Sequence, residues 1–145
     1  KLIGDVYMAA AGLFNPEEKP QTHAEQTVRF ALDCLAELET VNVKLNANLC
    51  VRIGINSGGP LLAGVLGTDK PVFDIIGDPI NLASRLQSTD IPGCIQIPQA
   101  TMDLIADCDF YTEPRGEVFL KGKGKTMAFL VHPSSPFTNN QSSEE

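Results

Sequence analysis

The 145-residue sequence predicts a mixed α/β domain, and three observations lead there. Ala24, Val28, Ala31, Leu32, Leu35 and Leu38 recur at the period of an amphipathic helix. Leu49, Val51, Ile53 and Ile55 alternate with Cys50, Arg52 and Gly54, the period of a half-buried strand. Helix and strand signals keep interleaving to about residue 131, and a hydrophobic content of 43% supplies a core for them to share.

Taken in order, KLIGDVYMAAA (1 to 11) reads as two short extended segments joined at Gly4 and Asp5, a pair suited to a tight hairpin turn, from which Asp5 projects. Thr22 and Glu25 have capping-box spacing, so a helix is expected over 23 to 40. The strand of 49 to 55 ends at SGGP. LLAGVLG (61 to 67) suggests closely packed, small-residue backbone ahead of a strand at 71 to 76. In GDPINLASRLQS, Asp78 suits an N-cap and Pro79 a first helical position, which predicts a helix over 79 to 88. Ile80, Leu82, Ala83 and Leu86 would then face inward, leaving Asn81 and Arg85, four apart, on the reachable side. Ile95 and Ile97 make a short strand, Gln99 to Ala106 a short helix, and Asp109 to Leu120 with Met127 to Val131 a closing antiparallel pair. Residues 1–132 are the expected folded unit. PSSPFTNNQSSEE, 133–145, is rich in Ser, Asn and Glu and is expected to be a disordered tail or linker.

A net charge of −7 sets a field that repels polyanions, which excludes nucleic acid as the expected partner and argues against direct contact with an anionic membrane. Cys34, Cys50, Cys94 and Cys108 are widely and irregularly spaced, and only His23 and His132 could join them as ligands. They read as reduced thiols, most of them buried, in an intracellular setting. No apolar run approaches the roughly 20 residues that cross a bilayer, so a membrane anchor, if the full-length protein has one, is expected outside this segment. Lys1 stands directly against a motif, and the chain reads as a fragment of something longer.

Several groups suggest chemistry, though each has a bland counterpart. Lys121, Lys123 and Lys125 cluster in VFLKGKGKT (118 to 126) with no acid between them. A Walker loop is rejected, because GxxxxGKS/T needs glycine where Phe119 stands. A glycine-loosened turn of this kind can wrap a polyphosphate, yet a solvated hairpin turn is the commoner outcome of the spacing alone. Asp5 could be only a turn former, Asn81 and Arg85 a polar helix face, and Asp74 a strand-end partner. Their occurrence together, in this order, outweighs the separate bland readings.

KLIGDVYMAAAGL, RIGINSGGPLLAGVLG, FDIIGDPINLASRLQST and FLKGKGK, in that order and spacing, resemble the catalytic domain of class III adenylate and guanylate cyclases, from Lys1 to about Val131. The resemblance implies a ferredoxin-like α+β fold, a mixed, mainly antiparallel sheet with flanking helices, here without its opening strand and helices. It implies that Asp5 is a metal ligand, that Lys1 and Asp74 select the purine, that Asn81 and Arg85 are catalytic, and that Lys121 binds phosphate. It further implies two Mg2+ or Mn2+ ions per site and a head-to-tail homodimer, since Asp5 coexists with the nucleotide-reading residues. Some members carry an arginine after the SG of the IxSG segment, where this chain has Gly59 and Pro60.

Adenine offers a ring nitrogen that accepts and an amine that donates, which matches an ammonium and a carboxylate; guanine reverses both. The guanylate enzymes of the family typically carry Glu and Cys at these two places. ATP is therefore the expected substrate and 3′,5′-cyclic AMP with pyrophosphate the expected products, although this segment alone is expected to be inactive. The alternatives are a guanylate cyclase, a non-catalytic cyclase-like module that binds nucleotide or a partner, and a generic phosphate-binding α/β domain.

Overall fold

A computed structural model describes residues 1–133; beyond Pro133, the expected tail lies outside the described residues. The chain opens with a small antiparallel hairpin, β1 (Leu2–Ile3) and β2 (Val6–Tyr7), turning at Gly4 and Asp5 as expected. Gly4 has φ +60, a conformation that a side chain at that position would resist. Helix α1 (Pro20–Leu45) follows, and buries Ala24, Val28 and Ala31. It is longer at both ends than its apolar period suggested. Its N-cap is Lys19 with Pro20 opening the helix, so Thr22 lies inside the first turn and the expected capping box does not form. It stops at Asn46, which turns left-handed at φ 49, and Ala47 N–H closes back on Asn42 O at 2.9 Å.

Four strands form the main sheet in the order β3 (Ile53–Gly54), β6 (Ile95–Pro98), β8 (Gly124–His132), β7 (Tyr111–Leu120). The β3–β6 pairing is parallel and the other two are antiparallel, the mixed, mainly antiparallel arrangement that the resemblance implied. Strand β3 keeps two residues of the seven expected. Both hydrogen-bonding groups of the Asn42 side chain hold the Leu49 backbone, at 2.9 and 2.8 Å, and so draw that end of the segment toward α1. The LLAGVLG stretch is a strand rather than mere packing: β4 (Leu62–Leu66) pairs antiparallel with β5 (Val72–Ile76) in a separate hairpin.

Strand β6 is buried at all four positions because it is covered on both faces. Ile95 and Ile97 join Val28, Ile55, Ile105 and Val131 in a core closed by α1 and by α3 (Gln99–Leu104). Gln96, pointing the other way, bonds the backbone of α2 (Asp78–Ser88). Helix α2 comes so close to β3 that a Cβ at Gly54 would overlap the backbone of Ala83 and Gln87. Only glycine fits there, and this crossing fixes the depth of α2 on the sheet.

Candidate active site

Helix α2 begins one residue earlier than expected. Gly77 is the N-cap and Asp78 makes no side-chain cap bond, so Pro79 is the second helical residue. The Asn56 amide donates to Pro79 O at 3.1 Å, tying the start of the helix to the chain just after β3. Leu86 is fully buried, Ile80, Leu82 and Ala83 are half-buried, and Asn81 is exposed with Arg85 half-buried beside it. A 3.6-residue period places these last two on one face.

That face and the β7–β8 turn enclose an open cleft of about 210 Å³, lined by Asp78, Asn81, Leu82, Arg85, Lys121, Gly122 and Lys123. Gly122 has φ +82, and a Cβ there would stand 3.0 Å from Arg85 Nη1. The glycine turn therefore folds directly over the guanidinium. Three cationic side chains thus meet in one concavity, together with an amide able to donate or accept. Such a set suits a polyphosphate, since charge-assisted hydrogen bonds to phosphate are short and strong. Lys125 points elsewhere and pairs with Glu117 across the hairpin at 3.7 Å. Lys123 stands with Lys121 as the lysine cluster suggested, whereas Asp78, expected only as a helix cap, Leu82, expected to face inward, and Gly122 are lining residues to which the sequence gave no site role.

A second cluster lies where two hairpins meet. Lys1 and Met8 exchange backbone hydrogen bonds at 2.7 Å in each direction, which extends the β1–β2 ladder to Lys1. From there Lys1 Nζ reaches Asp74 Oδ1 on β5 at 2.6 Å. The Ile75 N–H donates to the same oxygen at 2.8 Å. The Lys1 bond first, and then this backbone bond, hold the Asp74 carboxyl below the ordinary value of 3.8. Each partner keeps spare capacity: the ammonium has further protons and the carboxylate a second, unengaged oxygen.

Asp5 joins neither cluster. It is exposed at the tip of the β1–β2 hairpin, whose open end holds Lys1. Its carboxylate is a hard oxygen donor of the kind that Mg2+ prefers. Among the described residues, however, no group of three or more His, Cys, Asp or Glu side chains gathers to hold a metal. Asp5 fits one ligand position of an ion and does not by itself build a two-ion site. All four cysteines are free thiols, but the expectation that most are buried does not hold: Cys34, Cys94 and Cys108 are half-buried and Cys50 is exposed. Among the described residues no helix is long and apolar enough to cross a membrane.

Residues 1–133 match the family described as adenylate and guanylate cyclase catalytic domain. Over 152 aligned residues the chain is 40% identical to guanylyl cyclase C of Sus scrofa, an alignment that covers 96% of this chain and 14% of that protein. The guanylate cyclase domain of RhGC from Catenaria anguillulae, solved in complex with GTP, aligns at 39% identity and a TM-score of 0.71, over 81% of this chain and 63% of that one. The adenylyl cyclase CyaB from P. aeruginosa aligns at 26% identity and a TM-score of 0.75, over 82% and 63%. The chain thus spans about one seventh of the length of its curated relative.

Proposed function

This chain belongs to the adenylate and guanylate cyclase catalytic domain family, and from that premise we propose that residues 1–132 are a partial catalytic domain of an adenylate cyclase. In its full-length context it converts ATP to 3′,5′-cyclic AMP and pyrophosphate. The observation that carries the choice of base is the Lys1–Asp74 pair at 2.6 Å. With one proton engaged, the ammonium still donates to the adenine ring nitrogen. The free carboxylate oxygen accepts from the exocyclic amine. Guanine would set its carbonyl against the carboxylate and its ring N–H against the ammonium, two mispairings at once.

The reaction is attack of the ribose 3′ hydroxyl on the α-phosphorus with expulsion of pyrophosphate. In this reading Asn81 holds the ribose in line, Arg85 spreads charge over the five-coordinate phosphorus, and Lys121 neutralises the leaving group. The cleft that contains all three supports this division of labour. No side-chain nucleophile is required. Mg2+ or Mn2+, when bound, would activate the hydroxyl and screen the phosphates, with Asp5 as one ligand.

The substrate site is shared in a head-to-tail homodimer, one subunit giving Asp5 and the other the cleft and the purine pair. Two observations support this. Asp5 is not among the residues that line the cleft and takes no part in the Lys1–Asp74 bond. The β4–β5 hairpin beside Asp74 exposes Leu62 and Val65 at 67% each, with Val72 and Phe73 near half, an apolar surface suited to burial between subunits. A second reading, GTP as the substrate, is favoured by the 40% identity to a guanylyl cyclase. The test is to supply the dimeric full-length protein with Mg2+ or Mn2+ and either nucleotide, and to separate the products. Cyclic AMP as the main product is expected; cyclic GMP as the main product moves the assignment to the second reading, and no cyclic nucleotide from either substrate overturns both.

A further inference from the structure

The C-terminal end of α2 is held in an unusual way. A helix leaves its last carbonyls without intrahelical donors, and here side chains from three separate parts of the sheet layer supply them. Gln96 Nε2 on β6 donates to Leu86 O at 2.8 Å. Arg52, next to β3, donates from Nη1 to Ser88 O at 3.2 Å. Arg115 on β7 donates from Nη1 to Thr89 O at 2.6 Å, and also engages Gln96 Oε1. Gln96 is fully buried, so its amide has only these protein partners, Thr89 Oγ1 at 2.9 Å among them. Two cations at a helix C-terminus also complement its negative end.

Arg115 stands where the β7–β8 register shifts, between Pro114 and Gly116, and this irregularity aims its side chain at the helix. The same strand then runs on through Leu120 to Lys121. One strand therefore both grips the end of α2 and delivers the lysine turn onto Arg85, whose guanidinium lies against Gly122. We propose that Arg115, through the buried Gln96, is a positioning residue that sets the alignment of Arg85 with the Lys121 turn. It is not among the residues that line the cleft and acts by fixing the rotation and axial height of α2. This inference rests on the catalytic reading of Arg85 given above.

Loss of Arg115 leaves Thr89 O and Gln96 Oε1 without their donor, and α2 is free to shift by a fraction of a turn. Misplacement on the order of 1 Å costs a reacting site about 100-fold. The test is a double-mutant cycle on turnover by the full-length protein, using Arg115→Ala and Arg85→Ala, with Arg115→Lys as a milder variant that keeps the charge. Arg115→Ala is expected to lower kcat roughly 10- to 100-fold in the otherwise wild-type protein, and by a distinctly smaller factor when Arg85 is already alanine, because only Asn81 on the same helix is then left to misplace. Arg115→Lys should lose less, with the same dependence on Arg85. A structural role alone would cost the same factor in both backgrounds, and that result overturns the inference while leaving the site reading intact. If Arg115→Ala does not fold, the Arg115→Lys cycle decides by the same criterion. A silent Arg85→Ala overturns the site reading and this inference with it.

Discussion

Exchanging Lys1 and Asp74 for glutamate and cysteine should turn the preference for base around. In a fully closed site, hydrogen-bond mispairing can reject a substrate on the order of 10⁴-fold. Here the two side chains remain 31% and 26% exposed, so water can partly serve a mispaired group. We expect roughly 10-fold per mispairing and about 10² for the two. The wild-type ratio of kcat/KM for ATP over GTP should then be near 10², and Lys1→Glu with Asp74→Cys should lower it by at least that factor. The double change matters, because Lys1→Glu alone would set two carboxylates within hydrogen-bonding distance and impair both nucleotides. The assay is initial rates of the full-length protein with each nucleotide at fixed Mg2+ or Mn2+, with products separated by chromatography. A ratio that moves by less than about 3-fold on the double exchange refutes the base-reading role of the pair.

Because the folded Asp74 carboxyl lies below its ordinary 3.8, the pair's contribution to stability is complete above that value and disappears only as pH falls through the lower folded value. The ATP:GTP ratio should accordingly be flat between about pH 8 and 5, and a decline centred in that range, followed by rates at each pH, contradicts the pairing. Gly54→Ala drives a methyl into the backbone of α2, which has no flexible side chain to yield. Destabilisation of about 3 kcal/mol and a melting temperature lower by about 10 °C are expected by calorimetry. Gly122→Ala meets a left-handed φ of +82 and the Arg85 guanidinium together, so kcat should drop about 10-fold with a smaller loss of stability. Asp5→Asn, at an exposed hairpin tip, should leave thermal stability within about 2 °C of wild type and lower metal-dependent turnover at least 100-fold.

Elements specified by local pattern were legible in the sequence. The Gly4–Asp5 hairpin, helix α2 and the β7–β8 pair are each set by turn chemistry or by an uninterrupted period, and they lie within a residue or a few of where those signals place them. The differences fall where the local period fades or where distant partners decide. The last turns of α1 carry exposed Val43 and Leu45, so the apolar period fades before the helix does. Strand β4 exists by virtue of its register with β5, from Leu62 against Ile76 to Leu66 against Val72, which composition does not encode. The expected 49 to 55 strand was shortened by Asn42, a side chain from another element.

The candidate site divides in the same way. Asn81 and Arg85 were readable as neighbours on one helical face. Lys1 and Asp74, 73 residues apart, could be linked only through resemblance, and the structure sets them in contact. Gln96 and Arg115 gave no signal, since a glutamine within an apolar strand announces neither its burial nor its partners until the helix packs over it.

The first hairpin holds Lys1 at one end and Asp5 at the other, and in the proposed two-fold assembly these ends serve different pockets. Lesions at the two kinds of position should therefore complement. Chains carrying Asp5→Asn and chains carrying Asn81→Ala, each silent by itself, would regain turnover on mixing. Random association puts half of the dimers in mixed form, and every mixed dimer concentrates both defects in one pocket and spares the other, so recovery should level off at about a quarter of the wild-type rate.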